Sequence, residues 1–206
     1  MNIKLMFLLK KSKITMQLNK LPIVFLLLLS TSASADVEIS KRHQIMAGLL
    51  LHLTSFTQWQ ELEGENIELC LLGDDPFKTY IDKMIKRRPT NSAGKKIILS
   101  RIANVEESKL RLCQIIYIQP QHYEKIWKII PPLQNVLLVS QSITFIPQGG
   151  MVNFNVQDKR VKLEVNLPSV KAARLKISSK LLKHARVISG KVHENYTVVQ
   201  DINAQN

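Results

Sequence analysis

Two neighbouring carboxylates are the residues of this chain best suited to chemistry. Asp74 and Asp75 stand in the segment Gly73-Asp74-Asp75-Pro76-Phe77. They follow a predicted buried strand, and α/β proteins place ligand sites at such strand ends. Paired carboxylates there can hold Mg²⁺. The structural alternative is that Asp75 caps a helix whose first position is Pro76, while Asp74 makes the turn. Because no third ligand is visible, we prefer the cap and predict no metal site.

The other reactive residue types form no catalytic pattern. The five histidines include no HxH or HxxxH pair, and the sequence contains neither a GxSxG elbow nor a GxGxxG or GxxxxGK[ST] loop. Gly149-Gly150 is too short to cradle a phosphate and instead predicts a tight turn with a positive φ. We therefore predict no catalytic residue and no cofactor, so the chain is not expected to be an enzyme.

The elements that must position these residues alternate between helices and strands. Helices are predicted at 39–57, 75–86 and 122–130, with a short helical turn at 105–110. Strands are predicted at 67–73, 96–102, 113–119 and 135–141. This alternation favours right-handed βαβ units on a parallel sheet, and the near-continuous apolar runs suit strands buried on both faces. A 2-1-3 order of the first three strands would place the first beside the third.

The C-terminal third predicts a hairpin and a helix. Strands are predicted at 151–156 and 161–167, as a half-exposed antiparallel extension of the sheet. Its two faces carry Val161, Leu163, Val165 and Leu167 on one side, and Lys162, Glu164 and Asn166 on the other. An amphipathic helix is predicted over 178–188, capped by Ser178. Its apolar stripe consists of Ile177, Leu181, Ala185 and Ile188, and its far side carries Lys176, Lys180 and Lys183. The fold class is thus a single α/β domain with a parallel sheet flanked by helices.

The N-terminus predicts export. The apolar run 21–29 is far shorter than the roughly 20 residues that span a bilayer. It follows Lys20 and precedes Ala33-Ser34-Ala35, which is the pattern of a secretory signal peptide over 1–35. An uncleaved anchor is the alternative, and Met16 is a possible true start because 16–35 is already a complete signal. The domain would then span 36–190, with a tail at 191–206.

Export changes the charge argument. Removing residues 1–35 takes away five of the 29 basic residues and none of the 16 acidic ones, which leaves a net charge of +8. An exported protein rarely meets nucleic acid, so a membrane surface or an acidic protein is the favoured partner. A solvated basic face with no partner is an equally open interpretation. The candidate partner surface consists of Lys162, Glu164, Lys176, Lys180 and Lys183.

The two cysteines, Cys70 and Cys113, fit the same compartment. In an oxidising environment a pair favours a disulfide over two free thiols. The absence of a CxxC motif gives no support to redox catalysis or zinc binding. Such a bridge would close a loop of about 44 residues and contribute on the order of 4 kcal/mol.

Six segments, in their order and spacing, resemble the YfiR family. They are FTQW (56–59), LCLLGDDPF (69–77), CQIIYI (113–118), VLLVSQ (136–141), GGMVNF (149–154) and KISSKLLKHARV (176–187). The resemblance covers about 41–187. It implies a secreted domain with a Rossmann-like sheet, often a homodimer, with no shared catalytic residues. It also implies that Cys70 and Cys113 form the core cysteine pair of the family. A second pair found in some relatives is absent here.

The resemblance further implies a partner and a function. The partner is the periplasmic sensory region of an inner-membrane diguanylate cyclase, which the bound protein represses, lowering cyclic di-GMP and biofilm formation. An outer-membrane lipoprotein can withdraw such a repressor. The competing hypothesis is a periplasmic small-molecule or Mg²⁺-binding module, or an enzyme, that uses Asp74 and Asp75.

Overall fold

Helices and strands alternate through most of the chain as predicted, in a computed structural model that describes residues 40–60, 62, 64–129, 134–158 and 160–193. The predicted signal peptide, the possible start at Met16 and the tail beyond residue 193 lie outside these residues. None of the helices in this part of the chain is long and apolar enough to cross a membrane.

The helices and strands have the following bounds. The helices are α1 (Lys41–Phe56), α2 (Lys78–Arg87), α3 (Glu107–Leu110), α4 (Tyr123–Ile129), α5 (Leu167–Ala172) and α6 (Ser179–Leu182), with a 3₁₀ turn at Pro120–His122. The strands are β1 (Thr57–Trp59), β2 (Asn66–Leu72), β3 (Lys96–Ile102), β4 (Ile115–Ile118), β5 (Leu137–Ser140), β6 (Val152–Gln157), β7 (Arg160–Asn166), β8 (Leu175–Ile177) and β9 (Ala185–Ile188).

The strands build one large sheet and one small one. The large sheet has seven strands in the order β3-β2-β4-β5-β6-β7-β9, and β1 pairs with β8 in a separate antiparallel ribbon. Strands β2 to β6 are parallel, and β7 returns antiparallel to β6. The predicted 2-1-3 order is therefore confirmed, and so is the α/β class with a Rossmann-like parallel sheet and a hairpin extension.

Alternate residues along each strand face opposite sides of the large sheet. One side carries α2, whose preceding loop packs Phe77 against Tyr117 of β4, with 5.1 Å between the ring centroids. Tyr117 also stacks with Phe154 of β6 at 6.2 Å. Burial raises the pKa of the Tyr117 hydroxyl. The other side carries α4, whose Tyr123 hydroxyl hydrogen-bonds the Ser140 hydroxyl of β5.

The helix predicted over 178–188 is wrong. Only one turn forms, α6, and the chain then enters β9, which pairs in parallel with β7. Without β9 the outer edge of β7 would present unpaired backbone N–H and C=O groups, and a strand satisfies them where a helix would not. The predicted cap is confirmed, because the Ser178 hydroxyl accepts a hydrogen bond from the Lys180 backbone N–H.

The prediction that one face of the hairpin is exposed to solvent is also wrong in part. Lys162 is exposed, but Glu164 and Asn166 are buried, at 6% and 0% exposure. Asn166 is held by hydrogen bonds that its side-chain amide donates to the Gly150 and Lys191 carbonyls. Alternation of polar and apolar residues indicated solvent on one side, but Glu164 and Asn166 on that side bond to β6, to β9 and to the segments that flank the hairpin.

The disulfide is confirmed. Cys70 of β2 and Cys113, two residues before β4, are bonded with their Cα atoms 5.9 Å apart. Both side chains are buried. The bridge follows from the sheet topology, because β2 and β4 are hydrogen-bonded neighbours although 43 residues separate the two cysteines.

Removing this bridge is expected to destabilise the domain. The double change Cys70→Ala and Cys113→Ala leaves no free thiol and should lower the free energy of unfolding by about 2–4 kcal/mol, because the unfolded chain regains its loop freedom. Thermal melting with and without reductant measures this. Reductant should lower the melting temperature of the wild type and leave the double variant unchanged. Equal wild-type melting temperatures in both conditions would show that no bridge stabilises the protein.

Candidate functional site

The strand end after β2 is built around Asp75. One oxygen, Asp75 Oδ1, accepts hydrogen bonds from the backbone N–H groups of Phe77 at 2.6 Å and Lys78 at 3.1 Å. The other, Oδ2, accepts from Arg101 Nε at 2.8 Å. Both carboxylate oxygens are thus engaged by protein donors, but the predicted position of the cap is wrong, because Phe77 and not Asp75 stands directly before the helix.

The helix nevertheless begins later than predicted, at Lys78 rather than at residue 75. Lys78 has a φ of 49°, so the backbone makes a left-handed turn there and helical geometry cannot extend back to Pro76. Asp75 therefore caps from outside the helix, across the turn, rather than from the position directly before its first residue.

Arg101 of β3 completes the cluster. It donates to Asp82 of α2, with Nη2 2.6 Å from Oδ2, and also to the Lys78 carbonyl at 3.2 Å. The hydrogen bond to Asp82 is the largest cause that raises the pKa of the Arg101 guanidinium, and Asp75 acts in the same direction. These contacts tie the edge strand β3 to α2 and to the turn before it.

The geometry does not assemble a cation site from the two acids. Asp74 is exposed, and its backbone carbonyl accepts a hydrogen bond from the Gln119 side chain at 3.0 Å. Across the described ranges, no group of three or more His, Cys, Asp or Glu side chains is placed to hold a metal ion. Asp75 and Arg101 form a structural clamp, in which the carboxylate is already neutralised by a guanidinium.

The candidate partner surface is divided by the structure. Lys176 lies on β8, Lys180 lies in α6, and Lys183 follows it; all three side chains are exposed. Lys162 is exposed on β7 and borders a small cleft with His184. Because α6 is only one turn long, the three lysines of 176–183 do not form the helical stripe that was predicted.

Glu164, unlike these lysines, is buried. It accepts hydrogen bonds from the side-chain amides of Asn153 at 3.0 Å and Asn155 at 2.8 Å. Arg186 of β9 also donates to it, with Nη1 3.2 Å from Oε1. The Glu164 side chain is 8% exposed, so it is a satisfied interior carboxylate and not a surface contact.

Glu164 belongs to a row of residues that are paired across neighbouring strands of the large sheet. Cα partners in the ladders run from Leu72 through Ile118 to Ser140, and then through Asn153, Glu164 and Arg186. The row changes from apolar to polar at β5. Sequence reasoning missed it, because only the strand register brings these side chains together; the asparagines of Val152-Asn153-Phe154-Asn155-Val156 were the available signal.

The clamp can be separated from a metal site by mutation. Asp75→Ala should lower the free energy of unfolding by about 1–2 kcal/mol, because a helix cap and a charge pair are both lost. Asp74→Ala is the matched control and should change it by less than about 0.5 kcal/mol. Urea denaturation with and without Mg²⁺ measures both effects. A Mg²⁺-dependent stabilisation that disappears in Asp74→Asn would contradict the clamp and restore the metal hypothesis.

Comparison with known proteins assigns most of the chain to one family. The sequence profile of a family described as YfiR/HmsC-like matches residues 43–186, which is more than half of the chain and runs from α1 into β9. No curated protein shows a significant match. Proteins of this family are periplasmic regulators rather than enzymes. The chain belongs to the YfiR/HmsC-like family.

Proposed function

We propose that this protein is a periplasmic regulator that binds the sensory region of an inner-membrane diguanylate cyclase and represses it, lowering cyclic di-GMP and biofilm formation. The observation that carries the proposal is the family match over residues 43–186. The buried disulfide between Cys70 and Cys113 supports an oxidising compartment. The export features of residues 1–35 support the same location.

Repression of this kind requires differential binding. A protein can shift a two-state equilibrium only by the difference between its affinities for the two states. A tenfold shift of the cyclase toward its inactive form therefore needs about 1.4 kcal/mol of preference for that form. A scaffold closed by a disulfide suits this role, because a cross-linked surface loses less binding energy in being ordered.

The proposed contact surface consists of the exposed lysines Lys162, Lys176, Lys180 and Lys183. An acidic face on the sensory region would complement them, since charge complementarity speeds association and selects partners. Glu164 is excluded from this surface, because its side chain is only 8% exposed.

Two further elements of the proposal rest on the family resemblance. One is a homodimer, and the other is an outer-membrane lipoprotein that withdraws the regulator from the cyclase. Large exposed apolar side chains are available for such contacts, because Leu112 is 67% exposed and Ile143 is 86% exposed.

Deleting the gene tests the proposal in cells. Deletion should raise cellular cyclic di-GMP and surface attachment, because the cyclase loses its repressor. The full-length gene should restore both, whereas a version lacking residues 1–35 should not, since it stays in the cytoplasm. Cyclic di-GMP can be measured by mass spectrometry and attachment by crystal-violet staining. Unchanged cyclic di-GMP under several envelope stresses would overturn the proposed function.

Charge reversal tests the surface separately. The triple change Lys176→Glu, Lys180→Glu and Lys183→Glu should weaken binding to the purified sensory region by more than about tenfold, because three attractive charges become repulsive. The matched control is the triple change Lys83→Glu, Lys125→Glu and Lys128→Glu, which alters the net charge equally on α2 and α4. Equal affinities of the two variants in a calorimetric titration would place the contact elsewhere.

A further inference from the structure

A groove opens between α1, α2 and the segment 88–92 that leads into β3. Its volume is about 440 Å³, which lies within the range of small-molecule sites in proteins. It is distinct from the Asp75 clamp and from the exposed lysines of 176–183. Neither the family assignment nor the proposed repression uses it.

The floor of the groove is apolar. Leu51 of α1, Met84 of α2 and Ile97 of β3 contribute to it. Gly48 keeps the wall at α1 low, because it has no side chain; a Cβ there would lie 3.8 Å from the Met84 methyl group. The Tyr80 ring also lines the groove from α2. This surface suits the flat or aliphatic body of a small molecule.

The charged side chains that line the groove are all of one sign. They are Arg87 and Arg88; His52 also lines the groove, and among the described residues no Asp or Glu does. Neither guanidinium has a hydrogen bond or ion pair to any residue that the structure describes. By contrast, Arg101 and Arg111 are each paired with carboxylates.

The position of Arg87 in the last turn of α2 has an ordinary explanation, because a cation there complements the helix dipole. That explanation does not account for the apolar residues that line the same groove. It also does not account for the absence of acids from the lining. Together these features match an anion that carries an apolar body.

The groove is held open by the fold itself. The Asn91 side-chain amide donates to the Thr54 carbonyl at 2.8 Å, and the Ser92 backbone N–H donates to the Ser55 hydroxyl at 3.1 Å. The Ser92 hydroxyl donates in turn to the Ser55 carbonyl at 3.3 Å. These bonds fasten the segment 88–92 to the end of α1. A ligand would therefore spend little free energy on ordering the walls.

We propose that this groove binds a small amphipathic organic anion. The apolar body lies on Leu51 and Met84, and the carboxylate or phosphate group is held by Arg87 and Arg88. Charge-assisted hydrogen bonds from guanidinium groups supply the preference for an anion over a neutral analogue. The site stands apart from cyclase repression, and binding is measured on the purified protein alone.

Calorimetric titration with three naphthalene probes tests the site. The anions 2-naphthoate and 2-naphthyl phosphate separate the two headgroups, and 2-naphthylmethanol is the neutral analogue. At least one anion should bind saturably and about tenfold more tightly than the alcohol, as expected for a charge-assisted hydrogen bond. Saturable binding of neither anion at millimolar concentration would overturn the proposal, and so would equal affinity for the alcohol.

Matched variants locate the charge effect. The double change Arg87→Gln and Arg88→Gln should weaken anion binding by at least about tenfold. Lys86→Gln removes a cation from the same turn of α2 but not from the lining, and it should change the affinity by less than about twofold. Equal losses in the two variants would mean that only net charge matters, which contradicts the site. Melting temperatures of both variants provide the folding control, because all three side chains are exposed.

Chemical-shift mapping fixes the location. Titration with the tighter anion should shift the backbone amide signals of Gly48 and Ser92, which both line the groove. Shifts confined to the cleft beside His184 would overturn the assignment. Failure here leaves the repression experiments untouched, since those measure cyclic di-GMP and not ligand binding.

Discussion

The pairing of β2 with both β3 and β4 is the constraint on which the other features of the N-terminal half depend. Because β2 lies between these strands, Cys70 comes within bonding distance of Cys113. The same pairing places Arg101 of β3 beside Leu71 of β2, from where its side chain bonds to Asp75. The disulfide, the hydrogen bonds to Asp75 and the ion pair are consequences of the parallel pairing of β2 with β3 and β4. Each of them in turn stabilises that pairing.

The second half of the sheet is organised by a different constraint. From β5 onward one face becomes polar, and the buried carboxylate of Glu164 must be satisfied there. A buried charge without partners costs several kcal/mol, so its donors have to be present in the folded state. Asn153 and Asn155 come from the neighbouring strand, and Arg186 comes from β9. The network therefore favours the register that joins the hairpin to the last strand.

In the described part of the chain, these two halves bring together no group of three or more His, Cys, Asp or Glu side chains that could hold a metal ion. The most prominent acid, Asp75, is neutralised by Arg101 and occupied by backbone donors. The exposed cations include the lysines of 176–183, and Arg87 and Arg88 in the groove. A regulator needs surfaces and ligand sites with defined charge rather than a nucleophile and a base. The distribution of charge here agrees with that requirement.

The local sequence determined the strands, turns and backbone conformations that depend only on neighbouring residues. The apolar runs of β2 and β3, the turn at Asp75 and the positive φ of Gly149 follow from residue type and order, which also left each of the two cysteines a single possible partner within the chain. Tertiary structure decided where a segment needed a distant partner. Residues 185–188 have helical periodicity yet form β9, because the edge of β7 offers them hydrogen bonds. Glu164 alternates like a surface residue yet is buried, because its two neighbours in the sheet, β6 and β9, surround it with donors. Periodicity records which residues share a face, but only the assembled sheet determines what covers that face.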